Sequence, residues 1–171
     1  MSSEKIKILI VPSDRTGVSK FRSVDPHIYL EEHYGDEFSV DVNYEPKLDD
    51  DKWLSQYDII HYHRTLGNYD TLPTLLNRLD ALGIVSIMDI DDYWSPGNHH
   101  PAYLLIKNSK LDEKIINNIR ISKNVTTTTD IFAKEIGKLN KRVYVLPNAV
   151  DTEEKQFIPN VEPSNGRLRI G

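Results

Sequence analysis

Cysteine is absent from this 171-residue chain, which removes any disulfide framework or thiolate metal site and fits a reducing compartment. Basic charge is scarce too. Lys and Arg total 21 against 26 Asp and Glu, so the net charge is −5 and the basic face of a dedicated nucleic-acid binder is missing. No apolar run reaches the ~20 residues that a membrane span needs. Met1-Ser2-Ser3-Glu4-Lys5 and the short apolar run behind it make no signal peptide. The expectation is a cytoplasmic protein with no membrane span and no nucleic-acid partner. Glycine is sparse at 8 residues, and neither G-x-G-x-x-G nor G-K-[ST] occurs, which excludes the two common nucleotide-binding loops.

What is present is a strand-helix alternation. Ile6 to Val11 is almost wholly apolar and stops at Pro12, as a central parallel strand covered on both faces would. The polar turn Ser13 to Ser19 leads into a helical segment reaching about His33, interrupted or restarted at Pro26. Phe38 to Tyr44 alternates like a strand nearer an edge, and Asp49-Asp50-Asp51 reads as a helix N-terminus before Trp53. Asp58 to Arg64 is an apolar strand ending in His61, His63 and Arg64. Leu72, Leu75, Leu76, Leu79 and Leu82 mark an amphipathic helix closed by Gly83. Ile84 to Met88 then runs into Asp89-Ile90-Asp91-Asp92. A loop from Ser95 to Pro101, a helix through Leu111, Ile115 and Ile119, and a strand at Val125 to Thr128 follow. The last elements are a helix that Asp130 caps and a strand at Arg142 to Leu146.

This order predicts an α/β fold: a Rossmann-like, doubly wound, mostly parallel sheet of about six strands with helices on both faces. Right-handed crossovers place the second strand on one side of the first and the remaining four on the other. The order reverses beside the first strand, so the carboxyl ends part there and leave a crevice. The Ser13 to Ser19 loop and His63-Arg64 should flank it, with Asp89 to Asp92 one strand further along. His61 lies deeper and is expected to be a satisfied core imidazole. A metal site is not expected, because no third and fourth ligand stands at a recognisable spacing. The D-x-D at Asp89 and Asp91 also allows a Mg²⁺-dependent phosphatase with Asp89 as nucleophile, and the fold equally suits a non-catalytic ligand-binding domain. The carboxylates have a plainer reading as turn caps or partners of Arg64 or Arg15.

Four segments together carry a family likeness: Gly17-Val18-Ser19-Lys20-Phe21-Arg22, the His61-Tyr62-His63 strand end, Val125 to Asp130 before a helix, and Val145-Leu146-Pro147-Asn148-Ala149-Val150-Asp151. The chain resembles the amino-terminal half of a retaining glycosyltransferase of family 4, group 1, with the two-domain GT-B fold. The last segment is similar to the family's Pro-Asn-Gly-Val-Asp, with Ala149 in place of Gly. The resemblance implies an acceptor-side domain over residues 1–158. It also implies a linker and first strand of a carboxyl-terminal donor-binding domain over 159–171, that domain being the partner without which this half is inactive. The implied reaction moves a sugar from a nucleotide-diphosphate donor to a glycan or lipid-linked acceptor, with no cofactor bound by this half. Gly17 and Val18 would then approach the donor diphosphate, and Arg15, Arg22, His63, Arg64 and Asp92 would line the acceptor side. Asp89 and Asp91 are the candidate catalytic carboxylates, standing where many relatives carry a His.

Overall fold

The computed structural model describes residues 4–153 and contains one six-stranded, all-parallel sheet in the order β2-β1-β3-β4-β5-β6. The strands are β1 (Ile6–Val11), β2 (Phe38–Val42), β3 (Ile59–His63), β4 (Val85–Asp89), β5 (Asn124–Thr127) and β6 (Val143–Val145). This is the strand order expected from the sequence, with β2 at an edge and the reversal between β1 and β3. The expected linker and the strand at Arg167 to Gly171 lie outside the described residues.

The two faces of the sheet are covered by different helices. Leu9, Val11, Ile60, Tyr62, Met88 and Val125 share one face, where they pack with Leu54 of α3 (Asp51–Leu54). Leu72, Leu75, Leu76 and Leu79 of α4 (Leu72–Ala81) close over the same face. So do Ile115 and Ile119 of α6 (Leu111–Ile121) and Ile136 of α7 (Asp130–Ile136). Pairing register puts His63 beside Asp89 and Asp89 beside Thr126, so three polar residues form one row on the opposite face. That face is covered by α1 (Gly17–Ser19), a π turn (Lys20–Val24) and α2 (Asp25–Tyr34), which run as a continuous helical segment.

Local chemistry explains most of these boundaries. The Asp50 side chain accepts from the Trp53 amide at 3.0 Å, the cap expected of the acidic run. Gly83 sits in the left-handed region at φ 77° directly after α4, where a side chain would be strained. Thr129, rather than Asp130, caps α7, because its hydroxyl reaches the Phe132 amide at 3.2 Å while Asp130 is already inside the first turn. Pro26 stands in the first turn of α2, where α geometry restarts after the π turn without a break in the segment. The backbone widens to π spacing just ahead of it, with the Asp25 amide bonding the Lys20 carbonyl, and so accommodates a ring that brings no N–H. A short helix, α5 (Tyr103–Asn108), follows the Ser95 to Pro101 loop and has no buried residue, so it left no apolar periodicity to read.

Candidate functional site

The ends of β1, β3 and β4 bring together a connected set of polar side chains. Ser13 Oγ lies 2.7 Å from His63 Nδ1, and His63 Nε2 lies 2.8 Å from Asp91 Oδ1. Arg64 Nη2 donates to the same Asp91 oxygen at 3.2 Å and to Asp92 Oδ2 at 2.7 Å. His63 is 2% exposed, whereas Ser13 is exposed, so the chain of contacts runs from the interior to the surface. Burial alone would raise the Asp91 carboxyl. The hydrogen bond from His63, with the Arg64 guanidinium beside it, outweighs that and holds it at about 2.

The Ser13 to Ser19 turn is held by its own side chains. Asp14 Oδ1 accepts from the Thr16 amide at 2.7 Å and from the Thr16 hydroxyl at 2.6 Å, and these bonds lower Asp14 to about 2. The Asp14 amide donates to Ser19 Oγ at 3.2 Å, and Ser13 Oγ lies 3.4 Å from the same atom. Gly17 has ordinary backbone angles, and an added Cβ would meet nothing closer than Phe21 at 3.7 Å. Neither strain nor crowding within the domain accounts for glycine there. Val18 is 39% exposed beside it.

Arg64 is held in the left-handed region at φ 61°, an uncommon conformation for a non-glycine residue. Its amide donates to the Asp89 carbonyl at 2.9 Å and its carbonyl accepts from Asn118 Nδ2 at 3.2 Å. The backbone is therefore fixed from both sides, and the guanidinium turns toward Asp91 and Asp92.

Two expected ligand-facing groups have a different place. Arg22 is 8% exposed and faces inward from the π turn, so it does not line the acceptor side. Its Nε donates to Asp89 Oδ2 at 3.1 Å, its Nη2 to Asp89 Oδ1, and its Nη1 to the Leu146 carbonyl at 2.5 Å and Asn148 Oδ1 at 3.2 Å. Asp89 has no exposed surface, and its Oδ1 also accepts from Thr126 Oγ1 at 2.7 Å. A carboxylate with both oxygens committed to buried donors suits neither the catalytic role expected of Asp89 nor a phosphatase nucleophile. It positions Arg22 instead. Arg15 is also not brought to the His63 cluster. Its guanidinium lies 4.1 Å over the Tyr44 ring beyond β2, on the other side of β1.

His61 departs from expectation as well. Its Nδ1 is buried with no hydrogen-bond partner, and its ring lies 4.8 Å from that of His27. Burial, with His27 and Arg22 nearby, pushes its pKa well below the ordinary imidazole value. Among the described residues no group of three or more His, Asp or Glu is arranged to hold a metal ion. His63 and Asp91 bond to each other. No helix among the described residues is long and apolar enough to cross a membrane.

Ser13, Thr126 and Asn148 fall inside segments that the sequence marks but carry no role of their own there. Ser13 follows the first strand directly, in the loop expected beside His63, and register pairs that strand with β3. No family model matches the chain, and no curated protein matches it. Among solved structures, a conserved protein from Enterococcus faecalis V583 is 13% identical, covering 84% of this chain and 92% of its own, with a TM-score of 0.36. A protein described as native KDPGal is 9% identical, covering 82% of this chain and 70% of its own, with a TM-score of 0.35. Likenesses this slight carry no weight for function.

Proposed function

We propose that the chain is the acceptor-side domain of a retaining, two-domain glycosyltransferase that acts in the cytoplasm. It would transfer a sugar from a nucleotide-diphosphate donor to a glycan or lipid-linked acceptor and depend on a donor-binding domain for activity. One contact set supports this reading above the others. Arg22, from the Gly17 segment, bonds Asp89 at the end of β4 and Leu146 and Asn148 in the Pro-Asn-Ala-Val-Asp segment. Two of the four stretches that carry the resemblance thus meet at one side chain, at the carboxyl end of β4. In this reading Gly17 and Val18 leave room for the donor diphosphate, and Arg64, Asp91 and Asp92 present donors and acceptors to sugar hydroxyls, with His63 buried behind them as the partner of Asp91 rather than lining the acceptor side. Arg22 and Asp89 hold the floor.

The test is release of nucleoside diphosphate by the complete gene product, with uridine-, guanosine- and adenosine-diphosphate sugars and a panel of glycan and lipid-linked acceptors. Acceptor-dependent release is expected. It should fall steeply in Gly17→Ala, a change that leaves thermal unfolding unaltered because its Cβ has space. A complete product that binds no nucleotide sugar and releases no diphosphate would end the proposal in favour of a non-catalytic ligand-binding domain.

A further inference from the structure

His63 separates an exposed hydroxyl from a carboxylate, with Ser13 on Nδ1 and Asp91 on Nε2. The orientation of the ring proton follows from the partners. Asp91, held at about 2, is ionised near neutrality and is only an acceptor, so Nε2 must carry the proton for that contact to be a hydrogen bond. In the neutral ring Nδ1 is then a lone pair facing the Ser13 O–H at 2.7 Å. Ser19, 1% exposed, lies 3.4 Å behind Ser13 Oγ and helps to fix it. Asp14 Oδ2, at 3.1 Å, is the competing acceptor for the same hydroxyl proton and has the longer contact. A hydroxyl, an imidazole and an ionised carboxylate in series, with the hydroxyl at the surface, make up an activated nucleophile whatever fold presents them.

We infer that Ser13, His63 and Asp91 form a nucleophilic relay that cleaves small carboxylic esters by acyl transfer to Ser13, an activity separate from sugar transfer. In the first half-reaction Ser13 Oγ bonds to the ester carbonyl carbon as its proton passes to His63 Nδ1. The bond to the alcohol oxygen breaks, and the leaving alcohol takes that proton. Water then repeats the sequence, releasing the carboxylic acid and restoring the Ser13 O–H. Asp91 stays ionised throughout and holds the imidazolium; Arg64, on the same Asp91 oxygen, holds the carboxylate in place.

A fluorophosphonate probe applied to the 171-residue chain tests this directly. Ser13 Oγ should bond to phosphorus as fluoride leaves with the proton, and peptide mass spectrometry should find the adduct on Ser13. Asp91→Asn should slow that labelling by about 100-fold, because the base His63 loses the carboxylate that orients its ring and holds the imidazolium. Absence of an adduct on Ser13, or equal rates in the two proteins, overturns the inference. Because His63 is buried and its replacement risks the fold, a second measurement uses Ser13→Cys at the exposed position. Its alkylation by iodoacetamide should reach half its maximal rate well below the ~8.5 of a free thiol. A half-maximum at the ordinary thiol value overturns the relay.

Discussion

Arg22 grips Asp89 through both carboxylate oxygens across 67 residues of chain, with side chains 5% and 0% exposed. The same guanidinium also bonds the segment after β6, so one side chain ties the cover of the sheet to β4 and to the end of the last strand.

Removing one partner of such a pair leaves the other charge buried. Arg22→Met should therefore destabilise the chain by about 3–5 kcal/mol in urea unfolding, as should Asp89→Leu. The double variant should recover most of that loss, because no uncompensated charge remains. Losses that simply add would show that the pair is not coupled.

Asp91 sets an acid limit on stability. Its folded pKa lies at about 2 against an ordinary 3.8, so folding is favoured above the unfolded value and that contribution is lost as pH falls from about 4 toward 2. Asp91→Asn should flatten the stability profile in that window by up to ~2 kcal/mol. Parallel profiles for the two proteins would place the bonds of Asp91 elsewhere.

His61 acts in a higher window. Its folded pKa is depressed, so below about 6.5 the unfolded chain takes up a proton that the buried ring refuses, and stability falls with pH. His61→Leu removes that proton and the unpartnered Nδ1 together. The difference in unfolding midpoint between about pH 7.5 and about pH 5.5 should shrink in the variant. His27, 4.8 Å away and also lowered by burial, accounts for what sensitivity is left.

Arg64 combines backbone strain with a useful side chain. Arg64→Ala and Arg64→Gly lose the same ion pairs to Asp91 and Asp92, but only alanine keeps a Cβ at φ 61°. The glycine variant should be the more stable of the two by about 1 kcal/mol in thermal or urea unfolding. Equal stability would show that the left-handed conformation relaxes once the guanidinium is gone.

Patterning along the chain is sufficient to specify the sheet. Apolar strands separated by helical repeats, with an edge-like alternation only at Phe38 to Tyr44, were enough to give the strand order, because crossover handedness leaves few arrangements for such a pattern. It also determined which strand ends carry polar groups, since apolar runs that stop in His63-Arg64 and Asp89 to Asp92 are visible one residue at a time. What those groups do depends on the folded arrangement. Asp89 and Asp91 are two positions apart and look alike in sequence. Asp89 stays in the strand's polar row beneath Arg22, whereas Asp91, beyond the strand's last residue, reaches His63. Arg22 could not be assigned in advance, because its direction depends on the π turn that precedes Pro26. Ser13 gained its meaning from a neighbour 50 residues away. Periodicity encodes burial along a segment, but hydrogen-bond partners depend on register between segments, and register is a property of the folded sheet.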